Sequence, residues 1–307
     1  MNYSALYSEL LDIFQSSLCL TNEVFNFLYT KYERLDDKNK LRYKILYNMK
    51  STSTTIFKML NQSREDPQNV DFPSVAILTR GIFESYRNFY YLTSEAGISD
   101  SEFEFRYLIF KSYGNFEKQD MIKKLKAENI DIMRDFQVLE EELDELKEDI
   151  INNEFYQQIK IENEKNKRYK KIQDKQLFSE RFKEAVIDTN GCFISHKKIL
   201  LKRFIELNNG YEQYKQKIEA RYEFLYKYLS NFVHVSPFSL DQPHHHISID
   251  EFKKIFLPII FYLNIANEDI LNDFPELEER LQVTKNYSNI FKGLEEFIKW
   301  LKCDIIN

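Results

Sequence analysis

Apolar residues recur along this chain at three- and four-residue intervals, the spacing of amphipathic α-helices. Leu6, Leu10, Phe14 and Leu18 share one face, followed by Val24, Phe25 and Leu28, so residues 5–30 are expected to be helical. A second helix is expected over about 37–61. REDPQNVDFPS breaks the pattern, and SVAILTRGIFESYRNFYYLTSE gives a third helix over about 74–95. In SDSEFEF, Ser99 precedes an acidic turn and reads as the cap of a helix continuing past 120. After 177, FSERFKEAVIDTNG stops at a glycine, and another helix spans about 193–207. YEQYKQKIEARYEFLYKYLSNFVH is the longest clean helix, and the last two open at the capping box SIDE (Ser248, Glu251) and near PELEER. No strand alternation of useful length and no internal repeat interrupts this series. The expected fold class is all-α.

Residues 132–150 have a different period. Ile132, Phe136, Leu139, Leu143, Leu146 and Ile150 are spaced four, three, four, three and four, which is a heptad seam. The positions around it are acidic from Glu140 to Asp149, and after a break at NNEF the segment 165–175 is basic. A helical hairpin folded near 152–157 would set the acidic arm beside the basic one. The return arm offers few apolar partners: Phe155, Ile159, Tyr169 and Ile172. Two readings follow. Either this is a surface arm with solvated charges, or its seam also pairs with a second protomer. The expected organisation is one bundle made of 1–126 and 177–307, with a charged arm, 127–176, inserted in it.

Composition narrows the class. The chain has 307 residues, 43% of them hydrophobic, enough for a real core. Gly and Pro number six each, too few for the turns of β or Rossmann-type folds. The 20 Tyr and 26 Phe are expected to fill helix–helix contacts. A net charge of −6 means that any nucleic-acid contact has to be local. Three scattered cysteines, Cys19, Cys192 and Cys303, fit a reducing cytosol and give neither a disulfide framework nor a paired metal site. MNYSALYSELLDIFQ lacks a basic n-region, so no signal peptide is expected. IFLPIIFYLNIA is too short to span a bilayer and reads as a buried helix.

Two polar stripes carry the candidate chemistry. Tyr226, Ser230 and His234 are four apart, with Asn231 beside them, so they line one helical face. In one reading His234 is a general acid or base oriented by the hydroxyls, favoured in its charged form by the helix C-terminus. In the other, Ser230 bonds a carbonyl one turn back and His234 caps the helix, as parts of a polar core. The second stripe is Arg80, Glu84, Arg87 and Tyr91, on an otherwise apolar helix. It is an ordinary ion pair, or it holds a guanidinium rigid in a cleft, as a phosphate-handling site requires. With Glu84 as a buried partner, losing Arg80 would strand a charge. His244, His245 and His246 are adjacent in a loop and point in different directions, which does not suit one metal, and His196 reads as a surface residue. No cofactor motif or metal site is expected.

Arg80-xxx-Glu84 on an early apolar helix, followed by Tyr226-xxx-Ser230-xxx-His234, resembles an uncharacterised bacterial helical family adjoining the HEPN superfamily, over roughly residues 40–240. The resemblance implies an up-and-down helical bundle, HEPN-like, which forms a cytoplasmic homodimer. It implies a role in phage defence or a toxin–antitoxin system. Many HEPN proteins are metal-independent ribonucleases with an Arg and a His close together on one helix. Here that motif is not matched: the nearest arginine before His234 is Arg221. Arg80 from a facing helix, held by Glu84, would then supply the cation and approach His234. The other role implied is a non-catalytic sensor or scaffold that binds a protein partner from the same operon.

Overall fold

The computed structural model describes residues 3–65, 69–126, 133–165, 186–187, 193–194, 198–200, 202–203, 215–233 and 249–282. Its helices are α1 (Tyr3–Lys31), α2 (Asp37–Gln62), α3 (Phe72–Phe89), α4 (Asp100–Lys126), α5 (Met133–Asn152), α6 (Glu154–Lys165), α7 (Lys215–Val233), α8 (Ile249–Leu271) and α9 (Pro275–Gln282). A two-residue antiparallel ladder pairs Val186 with Ile194 and Ile187 with Phe193. Otherwise every described element is helical, so the protein is an all-α helical bundle. No helix among the described residues is long and apolar enough to cross a membrane.

Contacts divide the chain into two units: Met1–Ser94 with Leu200–Asn307, and Glu95–Ile199. The arm limits expected from charge, 127 and 176, enclose only part of the second unit. The reason is that α4 packs on α5 and α6.

In the first unit α3 packs against α2, α7 and α8, and α1 against α2 and α8. The long apolar segment of α8 is buried on all its sides from Ile255 to Asn267, as a helix hydrophobic all round must be. Its Phe252 and Phe256 meet Tyr7 of α1 at 4.5 and 6.2 Å between ring centroids, and its Tyr262 meets Phe83 of α3 at 4.5 Å. Tyr7 pins this core to α2 by donating to the Leu60 carbonyl at 2.7 Å.

Caps set where these helices begin. Asp36 accepts from the Asn39 amide at 2.7 Å and Asp71 from the Ser74 amide at 3.3 Å. Asp36→Ala is expected to cost about 1 kcal/mol in urea denaturation, the usual value of an N-cap. After Phe89 the chain widens into a π-helix, Tyr90–Ser94, which frees carbonyls from the α-helical ladder. Arg42, buried on α2, donates to one of them, Thr93 O, at 2.8 Å and pairs with Asp273 beyond α8.

The second unit contains the heptad seam. Leu139, Leu143 and Ile150 are buried. Ile150 and Leu146 join Phe105, Leu108 and Ile109 of α4 and Phe155, Tyr156 and Ile159 of α6 in one core. The return arm does supply Phe155 and Ile159, as expected, but α4 supplies the rest. From Leu139 to Ile150 the seam is therefore covered within the chain, whereas Ile132 and the Phe136 side chain lie outside the described residues. Residues Tyr169 and Ile172 and the basic segment 165–175, apart from Lys165, lie outside the described residues. The break at NNEF has a clear cause. Asn153 Oδ1 accepts from the amides of Phe155 and Tyr156 and caps α6, while its Nδ2 donates to Ser101 O at 3.0 Å and to Glu104 at 3.1 Å. Ser99 caps α4 as expected, accepting from the Glu102 amide at 3.2 Å. The Glu102 carboxylate turns instead to Arg106, which also pairs with Glu95, and all three side chains are buried.

Candidate functional site

The α3–α7 seam brings the two polar stripes together. Arg80, Glu84 and Arg87 follow at i, i+4 and i+7 along α3, so they share a face. Tyr222, Tyr226 and Ser230 do the same on α7. Arg80 Nη2 pairs with Glu84 Oε1 at 2.8 Å. The Arg80 guanidinium carbon lies 3.3 Å from the centroid of the Tyr226 ring, a stacked cation–π contact between the two helices. Only 11% of the Arg80 side chain is exposed, against 47% of Glu84. Arg80 Nη1 is buried and has no hydrogen-bond partner among the described residues. Arg87 donates to its neighbour Asn88 from Nε and Nη2, at 3.4 and 3.3 Å. Burial pulls Arg87 below the ordinary arginine range, with Glu84 opposing the shift. Burial also pushes the Tyr222 phenol up, although Arg80 and Arg87 draw it back, so it stays neutral near pH 7. Two guanidiniums thus share one carboxylate that is half in water.

Ser230 Oγ donates to the Tyr226 carbonyl at 2.8 Å, the back-bond expected of a helical serine. Asn231 is half-buried. His234, His196 and His244–His246 lie outside the described residues, as do Cys192 and Cys303. Tyr91, expected on the Arg80 stripe, falls in the π-helix and is buried. Glu84 is half exposed, which corrects the expectation of a stranded buried charge. Arg80→Ala is therefore expected to leave the protein folded at a cost of about 1–2 kcal/mol in urea, a helical ion pair plus a partly desolvated stack.

A second charged cluster in the same unit was not anticipated. Arg203 pairs with Asp269 of α8, and its Nε donates to the Tyr86 hydroxyl at 3.4 Å. The Tyr86 phenol, fully buried on α3, lies 3.5 Å from Asp269 Oδ2. Burial pushes Tyr86 well above its ordinary range, with Asp269 adding and Arg203 opposing. Burial works against the charge of Arg203, but Tyr86 and Asp269 outweigh it and hold the guanidinium above its ordinary value. No spacing in the sequence signals this cluster, because its members are 66 and 117 residues apart. Tyr222 was within reach, one turn before Tyr226. The two clusters differ in charge balance. Arg203 and Asp269 neutralise one another, whereas the α3–α7 seam keeps an excess of positive charge, which suits an anion. No group of three or more His, Cys, Asp or Glu side chains that could hold a metal ion occurs among the described residues.

Fold and seam together define an all-helical protein with a cationic seam between two helices of its bundle. The chain belongs to a family of unknown function, DUF5677, whose sequence profile matches residues 46–254. The matched stretch contains every residue of both stripes. No curated protein and no solved structure matches the chain.

Proposed function

We propose that the protein is a HEPN-like defence- or toxin-type protein whose α3–α7 seam handles an RNA phosphodiester, as a metal-independent endoribonuclease. The observation that carries this reading is Arg80, held between Glu84 and Tyr226 with one buried Nη left unpartnered. Such a guanidinium is preorganised to stabilise charge developing on phosphorus. His234 takes the proton from the ribose 2′-hydroxyl or gives one to the leaving oxygen. Glu84 and Tyr226 position Arg80, and Ser230 and Asn231 line the helix that leads to His234. The reading includes a cytoplasmic homodimer, with RNA as substrate.

A second reading is a non-catalytic sensor or scaffold that binds a protein partner from a phage-defence or toxin–antitoxin operon. It is favoured by the missing Arg/His pair on one helix and by the Ser230 hydroxyl, which is turned to the Tyr226 carbonyl. Cleavage of single-stranded RNA by the purified protein in a chelator-containing buffer decides between them. Cleavage lost with Arg80→Ala supports the first reading, and intact RNA leaves the second.

A further inference from the structure

Five aromatic rings gather on one surface of α1 and α2. Phe25 and Tyr29 come from α1, Tyr32 from the turn after it, and Tyr43 and Tyr47 from α2. Tyr43 is the hub. Its ring stacks on Phe25 with centroids 4.7 Å apart and planes at 19°, and on Tyr29 at 6.4 Å and 27°, and it meets Tyr32 at 5.0 Å. Phe25 also meets Tyr47 at 5.8 Å. These rings are not core: Tyr29 is 65% exposed and Tyr47 52%. Exposed aromatics are ordinary one at a time, whereas a joined row across two helices marks an interaction surface.

Lysines border the same surface. Lys50 Nζ lies 4.0 Å over the Phe25 ring, and burial lowers its pKa. Lys40, Tyr43, Lys44 and Tyr47 are spaced three, one and three along α2, so they share a broad face, and Lys44 is exposed. Between Asn22 and Lys50 seven basic residues meet four acidic ones, but Arg42 is buried against Asp273 and Lys31 pairs with Glu276, so Lys40, Lys44 and Lys50 are the cations offered on this face. Of the acids, Asp36 is engaged in capping α2 and Glu23 lies 3.6 Å from Arg280. The faces of Phe25 are taken by Tyr43 and Lys50, so the rings open to unpaired bases are the exposed Tyr29 and Tyr47, with ammonium groups beside them for the phosphates. A protein interface would share the aromatic rings but is depleted of lysine, so the lysines beside them favour a phosphate-bearing chain.

We propose that this surface binds single-stranded RNA, with bases stacking on Tyr29 and Tyr47, which Phe25, Tyr32 and Tyr43 hold in place, and with Lys40, Lys44 and Lys50 meeting the phosphates. This deepens the ribonuclease reading by giving its substrate a holding surface, and it rests on that reading for the choice of RNA. Binding is read separately from cleavage, so each can fail without the other. The probe is a fluorescein-labelled oligouridine, titrated by anisotropy onto the full chain carrying His234→Gln, so that cleavage cannot remove the signal. Adding Tyr29→Ala or Tyr47→Ala is expected to weaken binding about tenfold each, and Tyr47→Phe to keep it. Lys44→Gln is expected to reduce the slope of log affinity against log salt by about one unit. The duplex of the same sequence is expected to bind more weakly. The proposal is overturned if the oligonucleotide does not bind saturably at low salt. It is overturned equally if the folded alanine variants bind like the parent, or if they change only the sedimenting mass, which would assign the surface to a second copy of the chain.

Discussion

His234→Gln is expected to abolish RNA cleavage, and any growth arrest caused by expression, while leaving the protein folded. Glutamine keeps the hydrogen-bonding capacity and most of the volume of histidine but cannot exchange a proton near neutral pH. Loss of one general acid or base typically lowers a rate about a hundred- to ten-thousand-fold. The control is Arg80→Ala, whose partner Glu84 is 47% exposed and is solvated when the arginine goes. Both variants are then expected to be folded by circular dichroism and inactive by gel-resolved RNA cleavage. A folded His234→Gln chain that cleaves at the parental rate would exclude proton transfer by this residue and leave the scaffold reading.

Arg106→Met is expected to destabilise the Glu95–Ile199 unit by about 3–5 kcal/mol, the usual result of breaking a buried ion network from one side. The side chains of Arg106, Glu95 and Glu102 are 0%, 3% and 4% exposed, so water cannot take over the role of the guanidinium. Methionine fills much the same space but leaves two carboxylates facing each other in the interior. Replacing all three by apolar residues of similar volume is expected to restore most of the loss, because an apolar core needs no compensation for buried charge. Urea denaturation followed by circular dichroism measures both. A single substitution costing less than about 1 kcal/mol would mean that the network is solvated in solution.

The helices were legible because their signals are local. An apolar period of three and four, a serine before an acidic turn and an asparagine at a break act within one or two turns. Thus 37–61 was expected where α2 is Asp37–Gln62, and Ser99 caps α4. The π-helix at Tyr90–Ser94 was not legible, since residues 74–95 carry one uninterrupted helical pattern. Its freed carbonyl is met by Arg42, 51 residues earlier in the chain.

The candidate site divides in the same way. The sequence by itself determined which side chains share a helical face: Arg80 with Glu84 and Arg87, and Tyr226 with Ser230. It also determined the seam from Leu139 to Ile150, and a fold class in which scarce Gly and Pro leave few turns. Only the tertiary structure decided what each face meets. It set the Arg80 guanidinium on Tyr226, left Glu84 half in water, joined Arg203 to Asp269 and Tyr86, and packed Leu146 and Ile150 of the seam against α4 and α6. It also left Tyr29 and Tyr47 more than half exposed, although they belong to the aromatic contacts between α1 and α2 that composition led one to expect. The physical reason is range. A helical period is written by hydrogen bonds four residues long, whereas the partner of a face is chosen by packing among segments scores of residues apart, where many pairings satisfy the same pattern.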